Sequence, residues 1–422
     1  MFLDLTPLRI SRDYRLLFFG QLISFFGTMM SFVVVPFQMY QLTQSSLYVG
    51  LLGVAEFVPM FLLAFIGGAL ADAIDRRKML RITEVGQTVT TAILLGNAML
   101  PQPQVWILYV AVAIHAGLAG LQRPSFEALI PRIIEPEHLS AVASLNSLRF
   151  NVGAIISPMI AGVIAAKFSP AWAYGIDLAT FAGSLAAVWM IRAVPPPENA
   201  DRPNFESIKK GFRYAMSRQE LLGTYLIDIN AMLFGMPKAL FPALAASFGS
   251  GSFGFFFSAI AVGSLAAAIT SGWAKWVHRH GLAITLAAGM WGLAIVFFGF
   301  SSNLYLALFF LGLAGFFDMI SGVFRMTVWN QTIPDHLRGR LAGIEMISFL
   351  TGPMLGDAEA GIVAHYFDVK TAVISGGVMT IAGTIALALL LPKFISYDGR
   401  EGVKHKQMEE EARRNEFGTE AN

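Results

Sequence analysis

Apolar runs of roughly 20 residues recur along nearly the whole chain, each long enough to cross a hydrocarbon layer as one helix. They read as spans at 15–40, 47–70, 80–99, 104–128, 138–166, 171–192, 219–247, 251–275, 282–301, 304–331, 338–366 and 370–391. Lipid offers the backbone no hydrogen bonds, so segments of this kind must satisfy their own N–H and C=O groups as helices. The alternating pattern of an outer-membrane barrel strand is absent. Composition agrees: 55% of residues are hydrophobic and 14% charged, where a soluble domain carries about a quarter charged. The expected fold is an all-α membrane protein of twelve transmembrane helices. The first apolar run is not followed by a small-residue cleavage site, so no cleaved signal peptide is expected.

Charge placement says more than the net charge of +2, which gives no support for a nucleic-acid partner. Arg76, Arg77, Lys78 and Arg81 follow the second span. Arg202, Lys209, Lys210, Arg213 and Arg218 separate the sixth and seventh. Lys275 and Arg279 follow the eighth, and Arg338 and Arg340 open the eleventh. The turns on the other side are nearly bare of Lys and Arg, apart from Lys167 and Lys370. Positive loops mark the cytoplasmic side, so both termini and the central segment are expected there, in a bacterial inner membrane. The expected organisation is a six-helix bundle over 1–192, a cytoplasmic linker over 193–218, a second six-helix bundle over 219–392 and a cytoplasmic tail over 393–422. Phe205, Ile208, Phe212 and Met216 share one helical face in the linker, as in a helix lying on the membrane surface. The tail is polar and of mixed charge, and is expected to be poorly ordered.

The two halves repeat. Ile134-Glu135-Pro136-Glu137-His138-Leu139 leads into the fifth span and Ile333-Pro334-Asp335-His336-Leu337 into the eleventh. Ser157-Pro158-Met159 is then answered by Gly352-Pro353-Met354. The Pro-to-Pro intervals are 22 and 19 residues, different by about one helical turn. Two pseudo-symmetric bundles follow, a plan that places a substrate site between halves near mid-membrane.

After the second span comes Gly68-Ala69-Leu70-Ala71-Asp72-Ala73-Ile74-Asp75-Arg76-Arg77-Lys78. Paired glycines at 67 and 68 permit close helix approach. Asp72 is placed to cap a neighbouring helix, and Arg76 and Arg77 to pair with a carboxylate, for which Glu127 is the candidate. A loop serving topology alone would need neither the Asp nor the glycines. The segment resembles the signature loop of the major facilitator superfamily, with Asp75 where glycine is common. That resemblance assigns Gly68, Asp72, Arg76 and Arg77 to a cytoplasmic gate and implies the major facilitator fold. In the fifth span, Gly153, Ser157, Pro158 and Gly162 resemble the helix 5 motif of superfamily exporters, with Ser157 in place of a glycine; close helix packing with no bearing on direction explains them equally. Ile156–Gly162, Ala171-Trp172-Ala173-Tyr174-Gly175, Pro195–Pro197, Phe241-Pro242-Ala243-Leu244-Ala245 and Thr351–Asp357 make the chain, from Tyr14 to about Leu391, most similar to the enterobactin-exporter branch. The resemblance implies proton-driven efflux of an organic molecule by a monomer.

Ionisable residues inside spans cost about 2.5–3.5 kcal/mol at a helix centre on insertion scales, so they usually face a protein interior or a wet cavity. Glu56 is a candidate for proton coupling or a structural partner of Arg149. Asp228, beside Asn230, is a candidate for proton or substrate binding or for a structural hydrogen bond. Asp318 and Arg325 lie two turns apart on one face; they line a cavity or pair with other helices. Asp357 is preferred to Glu359 as cavity-facing because it follows a Gly-Pro bend. Glu345 and Arg123 fit a gate network. His115 relays protons or simply packs.

The expected function is a secondary active, proton-coupled exporter of a siderophore or hydrophobic drug. Importers of small polar solutes and lipid-handling membrane proteins are the alternatives. An enzyme is not expected, because no phosphate loop, paired-His metal motif or serine elbow is present. With no cysteine there is no thiol chemistry. No metal and no cofactor are expected, the energy source being the proton gradient. The partners expected are the lipid bilayer and a small organic substrate.

Overall fold

The computed structural model describes residues 4–420 except 74, 193–211, 250 and 335–336; side chains at 65–73, 338–340, 342–350, 405, 410 and 412–420 also lie outside the described set. Helix accounts for 90% of the described structure. The helices of eight or more residues are α1 (Arg12–Thr43), α2 (Ser46–Ala73), α3 (Arg76–Ala98), α4 (Val105–Ile133), α5 (Leu139–Lys167), α6 (Pro170–Met190) and α7 (Gln219–Gly235). They continue with α8 (Phe241–Phe248), α9 (Ser252–Thr270), α10 (His280–Gly299), α11 (Leu304–Thr332), α12 (Arg338–Tyr366), α13 (Val369–Leu390) and α14 (Gly399–Glu420). Among the described residues, ten helical segments are long and apolar enough to cross a membrane.

Polar side chains sit at helix ends, where backbone groups lack intrahelical partners. Asp75 caps α3, accepting from the amides of Arg77 at 2.8 Å and Lys78 at 3.3 Å. The acid that departs from the superfamily pattern therefore has a local role: its carboxylate holds the start of the next helix. Ser11, Ser169 and Asn303 cap α1, α6 and α11 in the same way. Gln44, with φ of 50°, closes α1 in the left-handed conformation and turns the chain into α2.

Two expectations need correction. The single run at 219–247 is broken into α7 and α8 by a short 3-10 turn, Lys238–Leu240. Pro237 disfavours helical geometry at Met236, which takes φ −115° and ψ 85°, and Pro242 starts α8. The tail is not irregular: it forms α14. Glu409 on that helix receives Arg218 at 2.6 Å and the Tyr214 hydroxyl at 3.1 Å, while Glu220 holds the other face of Arg218 at 2.7 Å. Of the proposed surface helix, Phe205 and Ile208 lie outside the described residues; 212–217 is helical, with Phe212 and Met216 exposed.

The chain forms two compact units. The first comprises Met1–Pro203, Lys238–Ala261 and Ala360–Val369; the second comprises Asn204–Pro237, Val262–Glu359 and Lys370–Asn422. Within the first, α1 packs on α6 and α2 on α4. A Cβ on Gly120 of α4 would stand 2.9 Å from the Met60 carbonyl oxygen of α2, so only glycine allows that approach. Within the second, Leu221, Ile227, Ile284, Phe324, Trp329 and Phe394 belong to one buried cluster, and the Trp291 indole donates to the Gly235 carbonyl at 3.0 Å.

Removing the Asp75 cap costs about 1 kcal/mol, whereas asparagine retains the acceptor. Asp75→Ala is expected to lower the apparent melting temperature of the purified protein in detergent and Asp75→Asn to leave it close to wild type, read by circular dichroism.

Candidate functional site

A cluster of charged side chains lies in the second unit. α7 supplies Asp228 and α11 supplies Asp318 and Arg325. Arg325 pairs with Asp228, and its Nη2 stands 3.7 Å from Asp318 Oδ1. The Arg325 and Asp228 side chains are 5% and 2% exposed, and that of Asp318 is 31% exposed. One guanidinium thus serves a buried carboxylate and a second carboxylate that solvent reaches. The sequence spacing placed Asp318 and Arg325 on one face; the structure adds that Asp228, from a different helix, completes the group. Asn230 turns elsewhere, donating to the Thr380 carbonyl at 3.0 Å and Thr384 Oγ1 at 3.3 Å on α13.

Stability alone does not explain such a group. A buried ion pair is often replaceable by apolar residues at no loss, yet removing one partner is costly. What the arrangement offers is switching. Neutralising a carboxylate frees donors of Arg325, and an anionic group on a ligand can compete for the same donors.

The other candidates are dispersed. Glu56 is half-buried in α2, and Asp357 is half-buried in α12. Nearby, Gly356 of α12 lies against the Met232 carbonyl oxygen of α7, where a Cβ would stand 2.6 Å away. Arg149 of α5 lies over Phe25 of α1 and Phe126 of α4, 5.9 and 5.4 Å from the ring centres. His115 meets Phe181 of α6 edge-on, with centroids 6.2 Å apart.

The gate residues differ from expectation in their partners. Arg77 donates to the Ile191 carbonyl at 2.7 Å and Arg81 to that of Trp189 at 2.7 Å, so both serve the end of α6. Carbonyls there lack helical partners and carry the negative end of the dipole, which attracts cations. Arg76 is buried, 6% exposed. Glu127 is not the partner of this cluster; it pairs with Arg123 one turn away at 3.1 Å, both exposed. The side chains of Gly68, Asp72 and Glu345 lie outside the described residues.

The helix 5 motif makes close contacts inside the first unit. A Cβ on Gly153 would stand 2.5 Å from the Phe25 ring, and one on Gly162 would stand 2.9 Å from the Cα of Gly254 on α9. Gly254 faces the Pro158 carbonyl, and Ser258 Oγ of α9 donates to the Ile155 carbonyl at 2.7 Å. Ser157 is fully buried.

Two carboxylates that the sequence reading did not single out are the most deeply buried among the described residues. Glu84 of α3 and Asp177 of α6 each have no exposed surface. Both fall within the spans read at 80–99 and 171–192, so an acid inside an apolar run was the available signal. Glu84 follows a basic turn closely enough to read as part of the helix end.

A bundle of apolar helices carrying buried ionised groups defines a multi-pass membrane transporter. The chain matches the transmembrane secretion effector family of the major facilitator superfamily over residues 3–418, and it belongs to that family. It is 28% identical over 392 residues to the enterobactin exporter EntS of Shigella boydii serotype 18 and to that of Escherichia coli O81, covering 92% of this chain and 94% of each relative. Solved transporters share the fold. A POT family transporter in complex with 5-aminolevulinic acid aligns with TM-score 0.71 at 13% identity, over 91% of this chain and 97% of its own. A bacterial homologue of the iron transporter ferroportin, in an inward-facing state, aligns with TM-score 0.67 at 15% identity, over 91% and 99%.

Arg325→Met leaves Asp228 buried without its cation, a loss of about 3–5 kcal/mol. The single variant is expected to lose most of its yield of monodisperse protein on gel filtration. The Asp228→Asn/Arg325→Gln double variant is expected to recover much of it.

Proposed function

We propose that this protein is a proton-coupled exporter of an organic molecule of siderophore or amphipathic-drug type. It works by alternating access of two six-helix bundles, built from twelve spans, in the bacterial inner membrane. Both termini and the 193–218 segment are cytoplasmic, and the working unit is a monomer. The observation that carries this reading is the Asp228–Arg325–Asp318 group, in which Asp228 and Arg325 are buried. Ionisable residues at membrane depth mark substrate or ion pathways, and the relatives named enterobactin exporters supply the class of cargo.

In this mechanism the loaded proton sits on a carboxylate of that group. Hydrogen-bond donors of the cargo bind the ionised carboxylate, and proton uptake neutralises that carboxylate and displaces the cargo. Proton and cargo thus compete for one group, the condition for exchange in opposite directions. Coupling arises because protonation and cargo binding each change the relative energies of the two facing states. Gly68, Asp72, Arg76 and Arg77 gate the cytoplasmic side, and Glu56, Arg149, His115 and Asp357 line the path. Gly153, Ser157, Pro158 and Gly162 fix the α5–α9 crossing about which the path opens.

The test is transport into inside-out-oriented proteoliposomes under an imposed proton gradient, with a catecholate siderophore and a lipophilic dye in parallel. Wild type is expected to accumulate at least one of them only when the gradient is present, and Asp228→Asn to abolish that accumulation. Gradient-driven movement of a small polar solute in the import direction, with neither organic cargo moved, contradicts the reading.

A further inference from the structure

The first unit contains a second polar feature, separate from the Arg325 group. Glu84 Oε1 accepts from Gln21 Nε2 of α1 at 2.7 Å and from Ser184 Oγ of α6 at 3.0 Å. Its other oxygen, Oε2, is buried with no hydrogen-bond partner. Asp177 Oδ2 accepts from Ser31 Oγ of α1 at 2.5 Å and from Thr91 Oγ1 of α3 at 3.3 Å. One turn further along α6, the Tyr174 hydroxyl donates to Gln38 Oε1 of α1 at 2.8 Å.

These three stations occupy one seam where α1, α3 and α6 meet. Gln21 to Gln38 covers 17 residues of α1, about 25 Å of rise, against a hydrocarbon core of about 30 Å. The intervals contain further buried polar groups in register: Ser24 lies on α1 between Gln21 and Ser31, and Gln87 on α3 between Glu84 and Thr91. Glycine makes room at the middle station, since a Cβ on Gly27 would stand 2.5 Å from Asp177 Oδ1.

No Lys or Arg among the described residues takes part in the hydrogen bonds of either acid. Of the cations along α3, Arg77 and Arg81 are turned to the carbonyls that end α6 and Lys78 is exposed. From α4, His115 meets the ring of Phe181; from α5, Arg149 meets the ring of Phe25. From α6 itself the titratable neighbour is Tyr174, already bonded to Gln38.

A carboxylate buried without a cation is expensive as an anion. If packing were the only requirement, Gln and Asn would fit the same space and hydrogen-bond as well. The donors on Glu84 converge on one oxygen and leave the other bare, the geometry of a carboxyl group whose second oxygen holds hydrogen.

We propose that the α1–α3–α6 seam is a proton-binding relay of the first unit, with Glu84 and Asp177 as its two proton-carrying stations. This rests on the proton-coupled reading above and adds a site to it. Each step balances. Glu84 Oε2 binds a proton as O–H; when it releases that proton, the negative charge remains on a carboxylate already held by Gln21 and Ser184. The proton passes by way of hydroxyl groups of the seam, each O–H giving up its hydrogen as its oxygen accepts another, to a carboxylate oxygen of Asp177.

The test uses the full chain in lipid with Glu84→Gln, Asp177→Asn and the carboxyl-retaining Glu84→Asp. Infrared difference spectra between acid and alkaline pH are expected to show a protonated-carboxyl stretch in wild type. Glu84→Gln and Asp177→Asn each lose part of that band, and Glu84→Asp keeps it, shifted. In proteoliposomes the two amide variants are expected to keep cargo exchange without a gradient, which verifies folding, while gradient-driven accumulation falls by about tenfold or more. Spectra identical to wild type in both amide variants overturn the relay. So does undiminished gradient-driven accumulation in both variants, with the wild type still coupled. Wild type that carries the band but ignores the gradient contradicts proton coupling and leaves the proton-binding site standing.

Discussion

Hydrocarbon solvates neither a backbone amide nor a charge, and most of this structure follows from that. The backbone answers with helix throughout, and helix ends are closed by side chains such as Asp75, Ser169 and Asn303. Polar side chains answer by finding one another. Arg77 and Arg81 close the end of α6, Trp291 and Trp329 place their indole donors on Gly235 and Thr224, and Asn230 reaches α13. What remains after these local solutions is a small set of ionisable groups whose placement costs energy and whose retention asks for a use.

Those groups divide by chemistry as well as by place. In the second unit a cation stands between two acids, an arrangement sensitive to an anionic ligand and to protonation alike. In the first unit the acids are surrounded by neutral donors only, an arrangement sensitive to protons and closed to bulky ligands. The contrast fits a transporter in which cargo and proton use partly separate sites and meet through the conformational equilibrium of the protein, where each ligand biases the same pair of states.

Much of this was legible in the chain itself. Length and apolarity of the runs set the ten long apolar helices among the described residues. The spacing of Asp318 and Arg325 put them on one face. Their joint partner, Asp228, lay about ninety residues away and needed tertiary structure to find. Glu127 misled because a carboxylate near a basic turn has more than one reachable cation, and its helical neighbour Arg123 is nearer. The tail misled because its composition is that of a solvated segment, while Glu409 finds a fixed partner in Arg218. Glu84 and Asp177 were missed for a different reason. The sequence shows an acid in an apolar run but not which neighbours surround it, and Ser, Thr and Gln from three helices are what make these two distinctive.

Coupling itself is the central claim, and reciprocity offers its most direct test: if a proton gradient moves cargo, a cargo gradient must move protons. Proteoliposomes holding a pH-sensitive dye, with no imposed proton gradient, would be given a catecholate siderophore on the side from which the protein binds it. The account predicts a change of internal pH that follows cargo entry, opposite in sign to co-transport, and absent with Asp228→Asn. Cargo entry with no change of internal pH in the wild-type protein would contradict it.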